Sequence, residues 1–261
     1  MELSIIILNY KTRGLLRQLL LGLNSYPPTV RHEIIVVDNG SNDGSAAMMQ
    51  TEFSTIACLA LKKNTGYARG INIGLKQARG KYILLLNTDI VVMEGAIDAF
   101  YKECGRHPEA ALFGPCLKNP DGTSQDSTYR FHRWLTPLYQ RTWLQKTKSG
   151  QKELARFLRR DINKNTNQPV EWLMSSCLMV TRQGLAKLGG FDERFFVYLS
   201  DTDLCRRAWL NGFKVLYLPH ISFIHYHRRQ SVEELKITLI HTFDFIKYQW
   251  KWHKQKFPEI T

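Results

Sequence analysis

Two acids two residues apart, Asp201 and Asp203, lie in the run GFDERFFVYLSDTDLCRRAWLNGFK (Gly190–Lys214), just behind the aromatic residues Phe195, Phe196 and Tyr198. The spacing predicts a helix with Ser200 as N-cap, both acids in its first turn, and Leu204, Ala208 and Trp209 on its buried stripe. Acids so placed can act simply as caps and dipole partners, so their chemistry has to be read beside other segments. VVDNGSNDGS (36–45) follows one apolar run, and its Asp38 could accept hydrogen bonds from a base or ribose. LLLNTDI (84–90) ends another, and its Asp89 is placed to hold a hard divalent cation, which in turn would hold a diphosphate. FIHYHRRQS (223–231) offers His225 and His227, whose alternate positions let at most one face a common site.

These residues need a frame that brings them together. Apolar runs at Leu3–Leu8, Glu33–Val37, Ile56–Leu61, Tyr82–Leu86 and Ala110–Phe113 alternate with helical patterns near Lys11–Ser25, Gly44–Glu52, Ala68–Ala78 and Glu94–Cys104. Residues apolar at consecutive positions suit strands covered on both faces, so the expectation is an α/β fold with a mostly parallel sheet and helices on either side. Chemistry in such sheets collects at the carboxyl ends of the strands, where Asn9, Asp38-Asn39 and Asn87-Thr88-Asp89 stand. NTGYARGINIG (64–74) spaces its glycines by four and lacks the GxGxxG pattern; close helix–sheet packing is the expected use of Gly70 and Gly74. Further strands are expected at Val170–Leu173, Cys177–Thr181, Val215–Leu218 and Ile221–His225. Val232–Lys256 reads as an amphipathic helix with Leu235, Leu239, Phe243, Ile246 and Trp250 on its apolar side.

Taken in order, SIIILNYKT, VVDNGSNDGS, N-x-G-Y-A-x-G-x-N, LLLNTD, VEW…SSCLMV and GFDERFFVYLSDTDLCRRAWLNGF resemble the family 2 glycosyltransferases of the GT-A fold, in particular the bacterial rhamnosyltransferase-like branch that builds surface polysaccharides such as O-antigen. The resemblance covers residues 3–115 and 170–231. It implies a Rossmann-like nucleotide-binding half, an acceptor-side insert and an inverting, metal-dependent transfer. Asn9, Asp38, Asn39, Asn64, Gly66, Asn72, Asn87 and Ser176 are then expected around the nucleotide sugar. Asp89 matches the last acid of the DxD-like motif that binds Mg2+ or Mn2+, with His225 as the C-terminal histidine near the metal and His227 in reserve. Asp201 matches the general base, and Asp203 and Arg206 match its supporting residues. The favoured donor is dTDP-rhamnose, and the expected acceptor is a polyprenyl-diphosphate-linked saccharide. The chain departs from the pattern where Ser200-Asp201 replaces the usual Glu-Asp, which removes a like charge that would raise the base's pKa. It also has Ser175 where relatives often have Gly.

The expected organisation is a catalytic domain over 1–231, divided into a nucleotide-sugar half (1–115), a basic insert (116–169) and a catalytic half (170–231), followed by a basic amphipathic helix over 232–261. Between Tyr129 and Lys164 stand ten Lys/Arg and two acids, so this stretch carries +8 of the net +13. Interleaved aromatic residues make an anionic membrane surface the expected partner. The stretch has no nucleic-acid-reading motif, which ranks nucleic acid low. Five scattered cysteines without CxxC spacing argue against a disulfide framework or a zinc site. The N-terminus lacks a basic n-region, so no signal peptide is expected, and the expected location is cytoplasmic, peripheral on the inner face of the cytoplasmic membrane. A nucleotidyltransferase is the competing enzyme class, but LNYKTRG is a poor version of its Gly-rich basic loop. The third reading is a non-catalytic membrane-associated binder that retains the fold.

Overall fold

Consecutive apolar residues need cover on both faces, and strand β1 (Leu3–Asn9) shows how they get it. Ile5 and Ile7 point into one core with Leu16, Leu19, Leu20 and Leu23 of helix α1 (Arg13–Ser25). Ile6 points into the other core with Ala68, Ile71 and Leu75 of α3 (Tyr67–Gln77). The computed structural model describes residues 1–161, 163, 165–226 and 235–255. In it β1, β2 (His32–Asp38), β3 (Ala57–Ala60) and β4 (Tyr82–Asn87) form a parallel unit in the order β3-β2-β1-β4, with α2 (Ser45–Glu52) in the β2–β3 crossover. Gly70 allows α3 to lie close on β1, since a Cβ there would come within 2.6 Å of Leu8. The sheet is the expected α/β arrangement with helices on both faces.

Beyond β4, a two-residue strand β5 (Ile90–Val91) and α4 (Ala96–Cys104) lead to β6 (Ala110–Lys118). Short strands β7 (Thr128–Tyr129), β8 (Gln168–Pro169) and β9 (Trp172–Leu173) frame the insert. Strand β10 (Cys177–Thr181) then runs antiparallel between β4 and β6, and β11 (Lys214–His225) lies parallel to β6. The two strands expected at Val215–Leu218 and Ile221–His225 are thus one, with a register irregularity between Leu218 and Ser222. The run expected at Val170–Leu173 is reduced to β9, paired with β7 outside the main sheet.

The insert folds as α5 (Thr136–Arg141), a 3-10 turn (Trp143–Lys146) and α6 (Lys148–Phe157). Part of its charge is internal: Arg133 and Arg156 pair with buried Glu153, and Arg130 with Asp161 and Glu171. After α7 (Arg182–Leu188) and α8 (Ser200–Leu210), the last described helix is α9 (Leu235–Trp252). Its orientation corrects the sequence expectation. Leu239, Phe243, Ile246 and Trp250 face outward, while Asp244, Phe245, Tyr248, Gln249 and Trp252 are buried. Apolar residues occur on both sides of this helix, and the buried side is the one with polar partners waiting for it.

Helix α9 meets the insert across His132. That ring lies 4.6 Å from Phe157, 5.6 Å from Trp172 and 6.1 Å from Phe245, centroid to centroid. Its pKa falls from 6.5 to about 3, chiefly through burial and then through the neighbouring His241 and the Arg156 cation. A depressed histidine is neutral in the fold and takes up a proton on unfolding, so the stability it contributes is complete above pH 6.5 and is lost as pH falls toward 3. His132→Phe should therefore leave neutral-pH stability close to wild type and flatten the loss of Tm between pH 6 and pH 4, read by thermal denaturation across that range; an unchanged pH profile would assign the acid sensitivity elsewhere.

Candidate active site

The carboxyl ends of β1 and β2 are tied by a buried polar network. Asn9 donates to Asp38 Oδ1 (2.9 Å) and to Ser41 Oγ (3.0 Å), and the Ser41 hydroxyl donates to the same Asp38 oxygen. Asn39 holds the next loop, donating to Asn64 Oδ1 and to the Gly66 carbonyl while accepting from the Thr65 amide and hydroxyl. Gly66 has φ +86°, and a Cβ there would sit 2.5 Å from the Phe196 carbonyl, which also accepts the Tyr67 N–H. Asn9, Asp38, Asn39, Asn64 and Gly66 are therefore gathered at one edge, as expected. Asn72 is not. Its amide is engaged with Phe191, donating to the carbonyl at 2.8 Å and accepting the amide N–H at 2.9 Å, so it fastens the segment before α8.

Asp89 and His225 come together because β5 pairs antiparallel with the end of β11, and the Tyr226 N–H donates to the Asp89 carbonyl. His225 Nε2 stands 3.5 Å from Asp89 Oδ1, and that oxygen is buried without a hydrogen bond. Gln125 fixes the imidazole. Its Nε2 donates to the His225 carbonyl (2.7 Å) and to Asn119 Oδ1 (2.8 Å), which turns its Oε1 to His225 Nδ1 at 2.9 Å. Nδ1 donates to Gln125 in this arrangement, and the ring is held with Nε2 toward Asp89. A buried carboxylate oxygen lacking a donor beside an imidazole nitrogen fits a divalent cation. No group of three or more His, Cys, Asp or Glu assembles around a common point among the described residues, so such a cation would complete its shell with water or with phosphate oxygens of a substrate. His227 lies outside the described residues.

Asp201 sits in the first turn of α8, as expected, but Ser200 is not the cap. Leu199 occupies that position in the left-handed region (φ 62°), and Ser200 is the first helical residue, buried. Asp201 Oδ1 accepts the Thr202 N–H (2.8 Å), and Oδ2 accepts the Ser175 N–H (3.2 Å) and hydroxyl (3.4 Å). Burial pushes its carboxyl above the usual 3.8, and those hydrogen bonds oppose the rise without cancelling it. The raised affinity for a proton that a neighbouring acid would have provided is thus supplied by desolvation. Ser175 also links the two halves. Its carbonyl accepts the Tyr67 hydroxyl, and the carbonyl of adjacent Ser176 accepts the Asn87 N–H at the end of β4. Burial raises the pKa of Tyr67, and the charges of Asp201 and Asp89 add to the rise.

Asp203 and Arg206 belong to a different environment. Asp203 is fully buried, with Oδ1 accepting from Lys251 Nζ (2.5 Å) and Trp252 Nε1 (2.9 Å) and Oδ2 accepting from Arg207 (2.8 Å). The Arg206 guanidinium lies 4.9 Å from the Trp252 ring and donates to the Tyr248 hydroxyl and the Gln255 carbonyl. Asp244 of α9 accepts the N–H groups of Phe196, Val197 and Tyr198, the loop that delivers Asp201. Both sequence-predicted supporting residues therefore act by fastening α8 to α9. Tyr67, Gln125, Asp244 and Lys251 are site residues that motif spacing did not expose; only Tyr67 stood inside a recognised motif.

Residues 4–187 match the family model described as Glycosyl transferase family 2. The chain is 28% identical over 213 residues to the N-acetylglucosaminyl-diphospho-decaprenol L-rhamnosyltransferase of Mycobacterium tuberculosis, a match covering 74% of this chain and 66% of that protein. It is 27% identical over 173 residues to the rhamnosyltransferase WbbL of Escherichia coli K12, covering 62% of this chain and 61% of the relative. The chain thus spans a little under two thirds of the length of these relatives. Among solved structures, the mannosyltransferase PcManGT of Pyrobaculum calidifontis, in complex with GDP-Man and Mn2+, superposes with a TM-score of 0.65 at 16% identity, covering 98% of this chain and 66% of that one. Staphylococcus aureus TarS (1–349) with UDP-GlcNAc gives 0.62 at 14%, covering 95% and 67%. At these identities the two structures support the GT-A fold.

If Asp203 is a fastening group, Asp203→Asn takes from Arg207 its carboxylate and from Lys251 one of two, Asp192 remaining, and should cost about 1–3 kcal/mol. Chemical denaturation would read that loss, with the folded fraction still binding a nucleotide sugar; full stability combined with lost activity would return Asp203 to the chemistry.

Proposed function

Because the chain belongs to glycosyltransferase family 2, we propose that it transfers a sugar from a nucleotide-diphosphate donor to a saccharide acceptor with inversion at the anomeric carbon. The observation that carries this reading is the joining of Asp201 to the Asp89–His225 pair through Ser175, Ser176 and the end of β4. A general base stands on one side of that connection and an anion-neutralising site on the other. Asp201, its two oxygens oriented by the Thr202 and Ser175 amides, takes the proton of the acceptor hydroxyl as that oxygen attacks the anomeric carbon opposite the leaving diphosphate. Asp89 and His225 would hold the metal, with the Gln125 contact orienting the imidazole so that Nε2 faces Asp89. A bound Mg2+ or Mn2+ supplies positive charge for the departing diphosphate. The ends of β1 and β2 and the loop around Asn64 seat the nucleotide.

The names of the relatives support rhamnose as the donated sugar and a polyprenyl-diphosphate-linked saccharide as acceptor; we take dTDP-rhamnose as its donor and the synthesis of a bacterial surface polysaccharide, O-antigen or capsule, as its setting. Such an acceptor supports a location at the inner face of the cytoplasmic membrane as part of this reading. The GDP-Man and UDP-GlcNAc complexes of the structural neighbours make a UDP- or GDP-sugar the second donor reading.

Nucleoside-diphosphate release from a panel of nucleotide sugars, with Mg2+ or Mn2+ and a lipid-linked acceptor, tests the activity and the donor together. Asp201→Asn should reduce transfer by about 10²–10⁴-fold with donor binding retained. No release from any donor, with metal-dependent nucleotide binding intact, would favour the non-catalytic membrane-associated binder.

The raised carboxyl of Asp201 adds a pH signature. The folded state holds this proton more tightly than the unfolded chain, so the group's contribution to stability is greatest below its ordinary 3.8 and falls as pH rises toward the folded pKa. Asp201→Asn should therefore be more stable than wild type at neutral pH, by roughly 2–4 °C in Tm. That difference should close as pH is lowered toward 4; a variant less stable at neutral pH would contradict the desolvated-base assignment.

A further inference from the structure

The outward stripe of α9 is unusual for a surface helix. Leu239, Phe243, Ile246 and Trp250 recur at helical spacing and are 51, 62, 40 and 67% exposed. Helix α9 also lies against the start of the insert: Trp134 packs edge-on against Phe245 at 6.2 Å, and Gln249 donates to the His132 carbonyl. Trp134 and Trp143 of the insert, 54 and 73% exposed, extend the same apolar character.

The charge on this surface has one sign. Within Leu235–Gln255 the only acid is Asp244, and within Trp134–Phe157 the only acid is Glu153; both are buried and paired. Arg141, Lys146, Lys148, Lys152 and Lys254 remain exposed. Large apolar side chains rimmed by cations, with no exposed carboxylate among them, complement an anionic lipid surface. A second copy of the same face would bring cation against cation, and a nucleic-acid backbone would leave the apolar stripe uncovered.

The stripe also adjoins the catalytic loop. Asp244 stands between Phe243 and Phe245, and its carboxylate grips the amides of Phe196, Val197 and Tyr198. Phe196 and Val197 are themselves 37 and 38% exposed. We propose that α9 and the insert form one membrane-docking face, seated on anionic lipid by the Leu239–Phe243–Ile246–Trp250 stripe, and that Asp244 and Lys251 hold the catalytic helix to it, so that docking presents the acceptor side of the cleft to the bilayer. The proposal rests on the lipid-linked acceptor inferred above.

Flotation of the full chain with phosphatidylglycerol/phosphatidylethanolamine vesicles, against phosphatidylcholine alone, tests it. Wild type should float with the anionic vesicles and partition at least about tenfold less onto the neutral ones. Phe243→Ser/Trp250→Ser should lose about tenfold of that binding with Tm unchanged, because both positions are exposed. Lys146→Gln/Lys148→Gln should weaken binding to anionic vesicles only. Undiminished flotation of the Phe243/Trp250 variant would overturn the proposal, as would light scattering showing a dimer that this variant splits. Nucleotide-sugar binding in vesicle-free buffer separates the two readings. Flotation lost by wild type with donor binding intact would remove the docking face alone. Donor binding absent with flotation intact would remove the transferase reading and leave the face supported.

Discussion

The catalytic half depends on one buried carboxylate. Asp203 accepts hydrogen bonds from Lys251, Trp252 and Arg207 with no exposure to water, and through it the helix that bears Asp201 is bound to the last helix of the described chain. An ionised group can be buried at this depth only when its lone pairs are filled and its charge is matched. Three donors from two helices meet both conditions. The same geometry makes α9 indispensable to a site that it does not line.

Asp201 and Asp203 are two residues apart in one helical turn, and their environments separate their roles. Asp203 is surrounded by cationic donors and serves as an anchor. Among the described residues Asp201 has no cation in contact; two backbone amides and a serine hydroxyl are its partners, so desolvation dominates and its proton affinity rises. Leu199, held in a left-handed conformation, sets where the helix begins and so which acid faces the cleft. Asp244 fixes the loop ahead of it by accepting three successive amides. The position of the base is therefore determined from both ends, by α9 each time.

The parallel half of the fold was legible because apolar periodicity and turn chemistry are local. Asp38, Asp89 and Asp201 were legible because they stand at strand or helix termini inside motifs. Partners that arrive from distant segments had no such signal. Gln125 reaches His225 across 100 residues, and Lys251 reaches Asp203 across 48. The motif that holds Asn72 likewise gives no sign that its amide is engaged by the backbone of Phe191, 119 residues away. Composition gives the insert's net charge but not its distribution: Arg130, Arg133 and Arg156 are paired with Glu153, Asp161 and Glu171, which leaves the excess on other side chains.

The inverted face of α9 follows from the same physics. A helix carrying Phe243, Ile246 and Trp250 on one side and Phe245, Tyr248 and Trp252 on another has no unique apolar face, so periodicity alone cannot orient it. Polar matching decides. Asp244 and Trp252 turned inward satisfy the loop amides and Asp203, and turning either out would strand a buried partner at about 1–3 kcal/mol per group. Turning that side inward leaves four large apolar residues in water, each forgoing roughly 1.5–3 kcal/mol of burial. The fold accepts this cost where neighbouring charges are uniformly positive and the catalytic loop is one contact away. A surface that supplies both apolar cover and negative charge would recover the lost burial while leaving the inner contacts undisturbed.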